Sequence, residues 1–85
     1  MSSIEKLKVR LKNTPNDFRF DEAETLLKHL GYKKFNKGKT SGSRVRFYRE
    51  SDGAIIDLHK PHPSPIMNKY TIRDLIAALT ERGDL

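Results

Sequence analysis

Two segments of the chain repeat one spacing of apolar positions. Ala23, Leu26, Leu27 and Leu30 fall at i, i+3, i+4 and i+7, and Ile72, Leu75, Ile76 and Leu79 do the same. That spacing lays one apolar stripe along an α-helix, so each segment is predicted to be a helix with one buried face. End signals support both. Asp21 followed by Glu24, and Thr71 followed by Asp74, read as N-caps with supporting acids. Gly31 and Gly83 stand where a left-handed residue closes a helix C-terminus. A third stripe, Ile4, Leu7 and Leu11, predicts a shorter N-terminal helix that Asn13-Thr14-Pro15-Asn16 ends. A helix this short is marginal alone, so it is expected to pack on its own domain.

Between the two capped helices the period changes to that of strands. Residues 32–37 alternate weakly, 44–49 alternate clearly, and 54–60 form a third run. Ser51-Asp52-Gly53 supplies turn chemistry between the second and third runs. With Asp52 and Gly53 as a two-residue loop, Phe47 is expected opposite Leu58 and Arg46 opposite His59. Val45, Phe47, Ile56 and Leu58 then share the core face, and Arg44, Arg46, Tyr48, Asp57 and His59 the other. The predicted fold is α+β, in the order helix, helix, strand, strand, strand, helix. A small three-stranded antiparallel sheet carries the helices on one face and leaves the other wet. Residues 1–85 are expected to form a single domain, with residues 1–14 as a helical extension and 15–85 as its core.

Composition narrows the function. With 85 residues, 35% hydrophobic and 33% charged, the chain builds one compact core and no pocket for a bulky cofactor. It has no cysteine, which excludes disulfides, thiolate metal sites and a cysteine nucleophile. Its longest apolar run, Leu75 to Leu79, is far too short for a membrane span or a signal sequence, so a soluble cytoplasmic protein is expected. The formal net charge is +6, and it is concentrated: Lys33, Lys34, Lys37, Lys39, Arg44, Arg46 and Arg49 fall in a stretch without a single acid. Such a segment suits a polyanion, with nucleic acid the leading candidate.

Candidate chemistry gathers around that stretch. Asn36-Lys37-Gly38-Lys39-Thr40-Ser41-Gly42-Ser43-Arg44 combines glycines, hydroxyls and cations in one loop whose amides can approach phosphates. It lacks the strand and helix context of a P-loop. His59 and His62 lie three apart, but no third ligand stands at a suitable spacing, so no metal is expected. As acid–base groups they fit better. RNA supplies its own nucleophile in the 2′-hydroxyl, and cleavage needs a base, an acid and cations around the phosphorane. His59 and His62 are therefore the candidate catalytic residues, and Lys37, Lys39, Ser43, Arg44 and Arg46 the candidate RNA contacts. Tyr48 and Tyr70 are candidate base-stacking groups, against the commoner role of a half-buried aromatic. His29 is expected on a helix surface.

These residues also carry a family resemblance. Pro15-x-Asp17-Phe18-x-Phe20-Asp21-Glu22, then Leu26-Leu27-x-x-Leu30-Gly31-Tyr32, then Asn36-Lys37-Gly38-Lys39, resembles the opening of HicA-type toxins. His62-Pro63 followed by Thr71-Ile72-Arg73-Asp74-Leu75-Ile76 resembles that family's closing segment. The resemblance covers residues 15–80. It implies a fold similar to a double-stranded-RNA-binding domain, an mRNA-cleaving toxin without a cofactor, and a HicB-type antitoxin as protein partner. The chain departs from the pattern at one place: Gly42-Ser43-Arg44 stands where the family has Gly-Ser-His, whose histidine is regarded as catalytic. Arginine stays protonated and cannot be a general base at neutral pH, though it can clamp a phosphate. Either the base lies at His59 or His62, or the chain binds RNA without cutting it.

Overall fold

The computed structural model describes residues 3–35, 44–61 and 64–85. Helices α1 (Ser3–Lys12) and α2 (Phe20–His29) precede strands β1 (Lys33–Phe35), β2 (Arg44–Arg49) and β3 (Ala54–His59), and helix α3 (Lys69–Glu81) follows. The strands form one antiparallel sheet in the order β1-β2-β3. This is the predicted α+β arrangement in the predicted order.

The helical stripes face inward as their spacing requires. Ala23, Leu26, Leu27, Ile72, Leu75 and Leu79 are buried, and Leu30 and Ile76 flank them at the edge of the core. Phe20 of α2 and Phe47 of β2 meet with ring centroids 6.4 Å apart, joining helix to sheet. The N-terminal helix packs on the same core: Leu11 is fully buried, and Ile4 and Leu7 lie against the cluster. A chain of this size has little core to spare, so that added apolar area contributes directly to stability.

Both helix C-termini close as expected, through glycines with positive φ at Gly31 (95°) and Gly83 (79°). In each, the residue after the glycine donates back across the turn: Tyr32 N–H to Leu27 O and Asp84 N–H to Leu79 O, both 2.9 Å. The N-termini lie elsewhere than expected. Helix α2 starts at Phe20, with Arg19 as its N-cap, and Glu22 Oε1 accepts from Arg19 N–H at 3.0 Å. Asp21 is thus in the first turn, where it favours the positive end of the helix dipole. Helix α3 is capped by Asn68, whose Oδ1 accepts from Thr71 N–H at 2.8 Å, so Thr71 lies inside the helix. The start of α2 is fixed by a distant segment: Phe20 N–H donates to Pro65 O, and Met67 N–H to Phe18 O.

The β2–β3 register differs from the expected one by two residues. Arg49 pairs with Ala54, Phe47 with Ile56, Arg46 with Asp57 and Arg44 with His59. The connection is therefore a four-residue loop, Glu50 to Gly53. Asp52 explains it: its Oδ1 accepts from Ala54 N–H at 3.1 Å, and its carboxylate binds Arg49. Gly53, at φ 70°, returns the chain and donates to Arg49 O at 2.9 Å. A shift of two preserves parity, so the faces stay as expected although the partners change. Phe47, Ile56 and Leu58 are buried, Val45 is half-buried against the core, and Ile55, Asp57 and His59 are exposed.

Candidate nucleic-acid interface

The open face of the sheet is a small grid set by the register. One row is Lys33, Tyr48 and Ile55; the next is Phe35, Arg46 and Asp57; the last described pair is Arg44 and His59. Of the candidate site residues, His59, Arg44, Arg46 and Tyr48 thus share one face. Lys37, Lys39, Ser43 and His62 lie outside the described residues.

The corrected register changes which groups are neighbours. His59 stands opposite Arg44, not Arg46. Directly opposed side chains have Cβ atoms about 4.5–5.5 Å apart, so the imidazole and guanidinium occupy one locality. The same two residues border an open cleft with Thr71 and Asp74, which come from the first turns of α3. The closing motif of the sequence and Arg44 of the basic segment are thereby brought together.

Charge along the basic stretch is less available than a count suggests. Lys34 pairs with Glu24 at 3.2 Å. Arg49 points to the core side and binds Asp52 at 2.7 Å and Asp84 at 3.0 Å. Arg46 gives two hydrogen bonds to Asp57, Nε to Oδ1 at 2.8 Å and a terminal nitrogen, Nη2, to Oδ2 at 3.2 Å. Those bonds hold the Asp57 carboxyl below its usual range; partial desolvation opposes them, and the fields of Arg46 and Arg44 add to the lowering. The Arg46 guanidinium is correspondingly stabilised in its charged form by the Asp57 hydrogen bond. Among the described residues, no carboxylate forms an ion pair with Arg44. At the cleft, Arg44 is therefore the cation left for an anionic ligand, with the carboxylates of Asp57 and Asp74 also in the lining.

Two residues of this site are not legible in the sequence. Alternation places Asp57 on the face but not in the site, because only the true register reveals it as the partner of Arg46. Phe35 was invisible as an open-face residue, since the weak alternation of residues 32–37 gave no parity. The structure sets its ring edge-on to Tyr48, at 5.6 Å and 90°. Tyr70, the other candidate stacking group, is 78% exposed at the start of α3. His29 is exposed at the end of α2, as expected. No described helix is long and apolar enough to cross a membrane.

Comparison with known proteins gives one family, described as "HicA toxin of bacterial toxin-antitoxin", which matches residues 20–80. The searches of curated proteins and of solved structures returned no match. The match spans α2, the whole sheet and nearly all of α3, more than two thirds of the chain. The helices, the three-stranded sheet and the cleft between β2, β3 and α3 are thus those of a chain that belongs to the HicA toxin family of bacterial toxin–antitoxin systems.

Proposed function

We propose that the protein is a HicA-like endoribonuclease that cleaves mRNA in the cytoplasm and is neutralised by a HicB-type antitoxin. Residues 15–85 are the RNA-binding core, and residues 1–14 are an extension seated on it. The observation that carries the reading is the pairing of Arg44 with His59 across β2 and β3. The family's histidine position holds Arg44, and an imidazole stands on the adjacent strand beside it. A guanidinium clamp and a group able to move a proton near neutral pH are thereby neighbours on an open face.

In the proposed step, His59 takes the proton of the RNA 2′-hydroxyl as that oxygen attacks the adjacent phosphorus. The O2′–P bond forms and the P–O5′ bond breaks; O5′ takes a proton from water or from protonated His62, leaving a 2′,3′-cyclic phosphate and a 5′-hydroxyl. Arg44 holds the non-bridging oxygens, where negative charge develops. Arg46 has five N–H donors, of which Asp57 takes two, so its outer edge remains for the RNA backbone. Lys37, Lys39 and Ser43 guide the strand, and His62 is the second proton-transfer candidate.

Purified protein with end-labelled mRNA tests this. His59→Ala is expected to slow cleavage about 10²- to 10⁴-fold, the range for a positioned acid–base group. Cleavage unchanged in a His59→Ala, His62→Ala double variant overturns the histidine assignment. A second reading, an RNA-binding module that does not cut, is favoured by Gly42-Ser43-Arg44 itself. It predicts salt-sensitive binding without products, and cleavage gained in Arg44→His.

A further inference from the structure

Beside the charged pair, the open face carries an apolar patch that the cleavage chemistry does not use. Phe35 is 38% and Ile55 48% exposed, and Tyr48, half-buried, lies between them. Ile55 is the direct cross-strand partner of Tyr48, and Phe35 meets Tyr48 edge-on at 5.6 Å. The three side chains line one shallow concavity, with Arg46, Arg49, Glu50 and Gly53 completing its wall. Two aromatic rings and an isoleucine contiguous on a strand face carry a hydration cost that a ligand seated on them removes.

We propose that this patch is a stacking shelf for an unpaired nucleobase, which makes the substrate single-stranded where it crosses the sheet. The inference rests on the RNA reading and extends it to the form of the substrate. Charge complementarity favours the occupant: around the shelf Lys33, Arg46 and Arg44 outnumber the acids Glu50 and Asp57, the latter already paired with Arg46. Alternation of cations with aromatics suits a chain of phosphates and bases. Size agrees. Three side chains offer far less than the roughly 800 Å² per partner of a stable protein interface, but enough for the face of a base. The shelf lies four residues along the strands from Arg44 and His59, about 14 Å, so a short extended strand spans both. Paired bases are stacked within a duplex and present no free face to such a surface.

The test is anisotropy with a labelled single-stranded RNA and with a duplex of the same sequence, across a salt series. Phe35→Ala and Ile55→Ser are compared with the unmodified protein, each checked for an unchanged circular dichroism spectrum and cooperative melting. Each is expected to weaken single-strand binding by a similar factor at every salt concentration, about tenfold for Phe35→Ala, with little change for the duplex. Arg44→Ala is expected instead to reduce the salt slope by about one. Unchanged single-strand affinity in both shelf variants, with Arg44→Ala still impaired, overturns the shelf and leaves the RNA reading standing. Equal losses on strand and duplex overturn it too, as does loss of antitoxin binding with RNA affinity intact, which makes the patch a protein surface. No RNA binding by the unmodified protein overturns both readings.

Discussion

Replacing Arg49 with alanine is expected to be the most damaging change to any charged residue on the sheet, although it removes a charge from a basic protein. Arg49 joins three elements at once. Its Nε and one terminal nitrogen bind the two oxygens of Asp52 at 3.0 and 2.7 Å, fixing the β2–β3 loop. The other terminal nitrogen donates to Leu30 O and Asp84 Oδ1, both at 3.0 Å, tying down the ends of α2 and α3. Its guanidinium lies 4.6 Å from the ring centre of Tyr32, whose hydroxyl also donates to Asp84. The side chain is only 13% exposed, and that of Asp84 only 14%. Truncation leaves a partly buried carboxylate without its cation, a carbonyl without that donor and a gap over an aromatic face. A lost hydrogen bond to a charged group costs about 1.5–3 kcal/mol. Adding the cation–π contact and discounting the solvent-exposed Asp52 side gives about 2–4 kcal/mol. For a domain of this length, that lowers Tm by roughly 10–25 °C, read by calorimetry or circular dichroism melting. Arg46→Ala is the control: it also removes a two-bond carboxylate pair, but an exposed one, and is expected to move Tm by no more than a few degrees. Equal shifts for the two variants, or an Arg49→Ala shift under about 4 °C, refute the assignment of Arg49 as the joint.

Three further outcomes follow from the same geometry. The Asp52 carboxyl is held at about 2, against an ordinary 3.8, chiefly by its Arg49 hydrogen bond. A depressed folded-state value means a contribution fully present above about pH 4 and lost as pH falls towards 2. Melting of the unmodified protein should therefore drop more steeply over that window than melting of Asp52→Asn. Gly31→Ala should destabilise more than Gly83→Ala. Both positions have left-handed φ and cost about 1–2 kcal/mol on that ground, but only at Gly31 does a Cβ press on Arg49, 3.2 Å from its Cδ. Asp57→Asn releases Arg46 from its carboxylate, so RNA affinity should rise and the slope of log K against log salt should steepen by up to about one.

The parts of the fold visible in the sequence are those set by local periodicity. The stripes of α2 and α3 specify which faces are buried, and the C-terminal glycines mark both helix ends, because each is a property of neighbouring residues. The N-caps lie two and three residues ahead of the expected Asp21 and Thr71 because their positions depend on groups outside the stripe, the 64–67 segment for α2 and the Asn68 side chain for α3. The hairpin shows the same division. Alternation in 44–49 and 54–60 determines the faces, while the register follows from Asp52 binding both Arg49 and the backbone of Ala54, which Asp-Gly alone does not reveal. For the site, residue type identified Arg44, Arg46, Tyr48 and His59 as one face, and the register then decided which of them work together. It moved His59 from Arg46 to Arg44 and gave Arg46 to Asp57. Net charge overstated the available field for the same reason: Lys34, Arg46 and Arg49 have carboxylate partners 10 or more residues away or across a turn, beyond any count of composition.

The most direct test of the central claim is incubation of the purified protein with 5′-end-labelled mRNA in EDTA, followed by analysis of the product ends. Cleavage by the 2′-hydroxyl, with His59 moving the proton and Arg44 on the phosphate, predicts 2′,3′-cyclic phosphate and 5′-hydroxyl termini, produced by the unmodified protein and strongly reduced in His59→Ala. Tight, salt-sensitive binding with no cleavage, and products appearing only in Arg44→His, would contradict it.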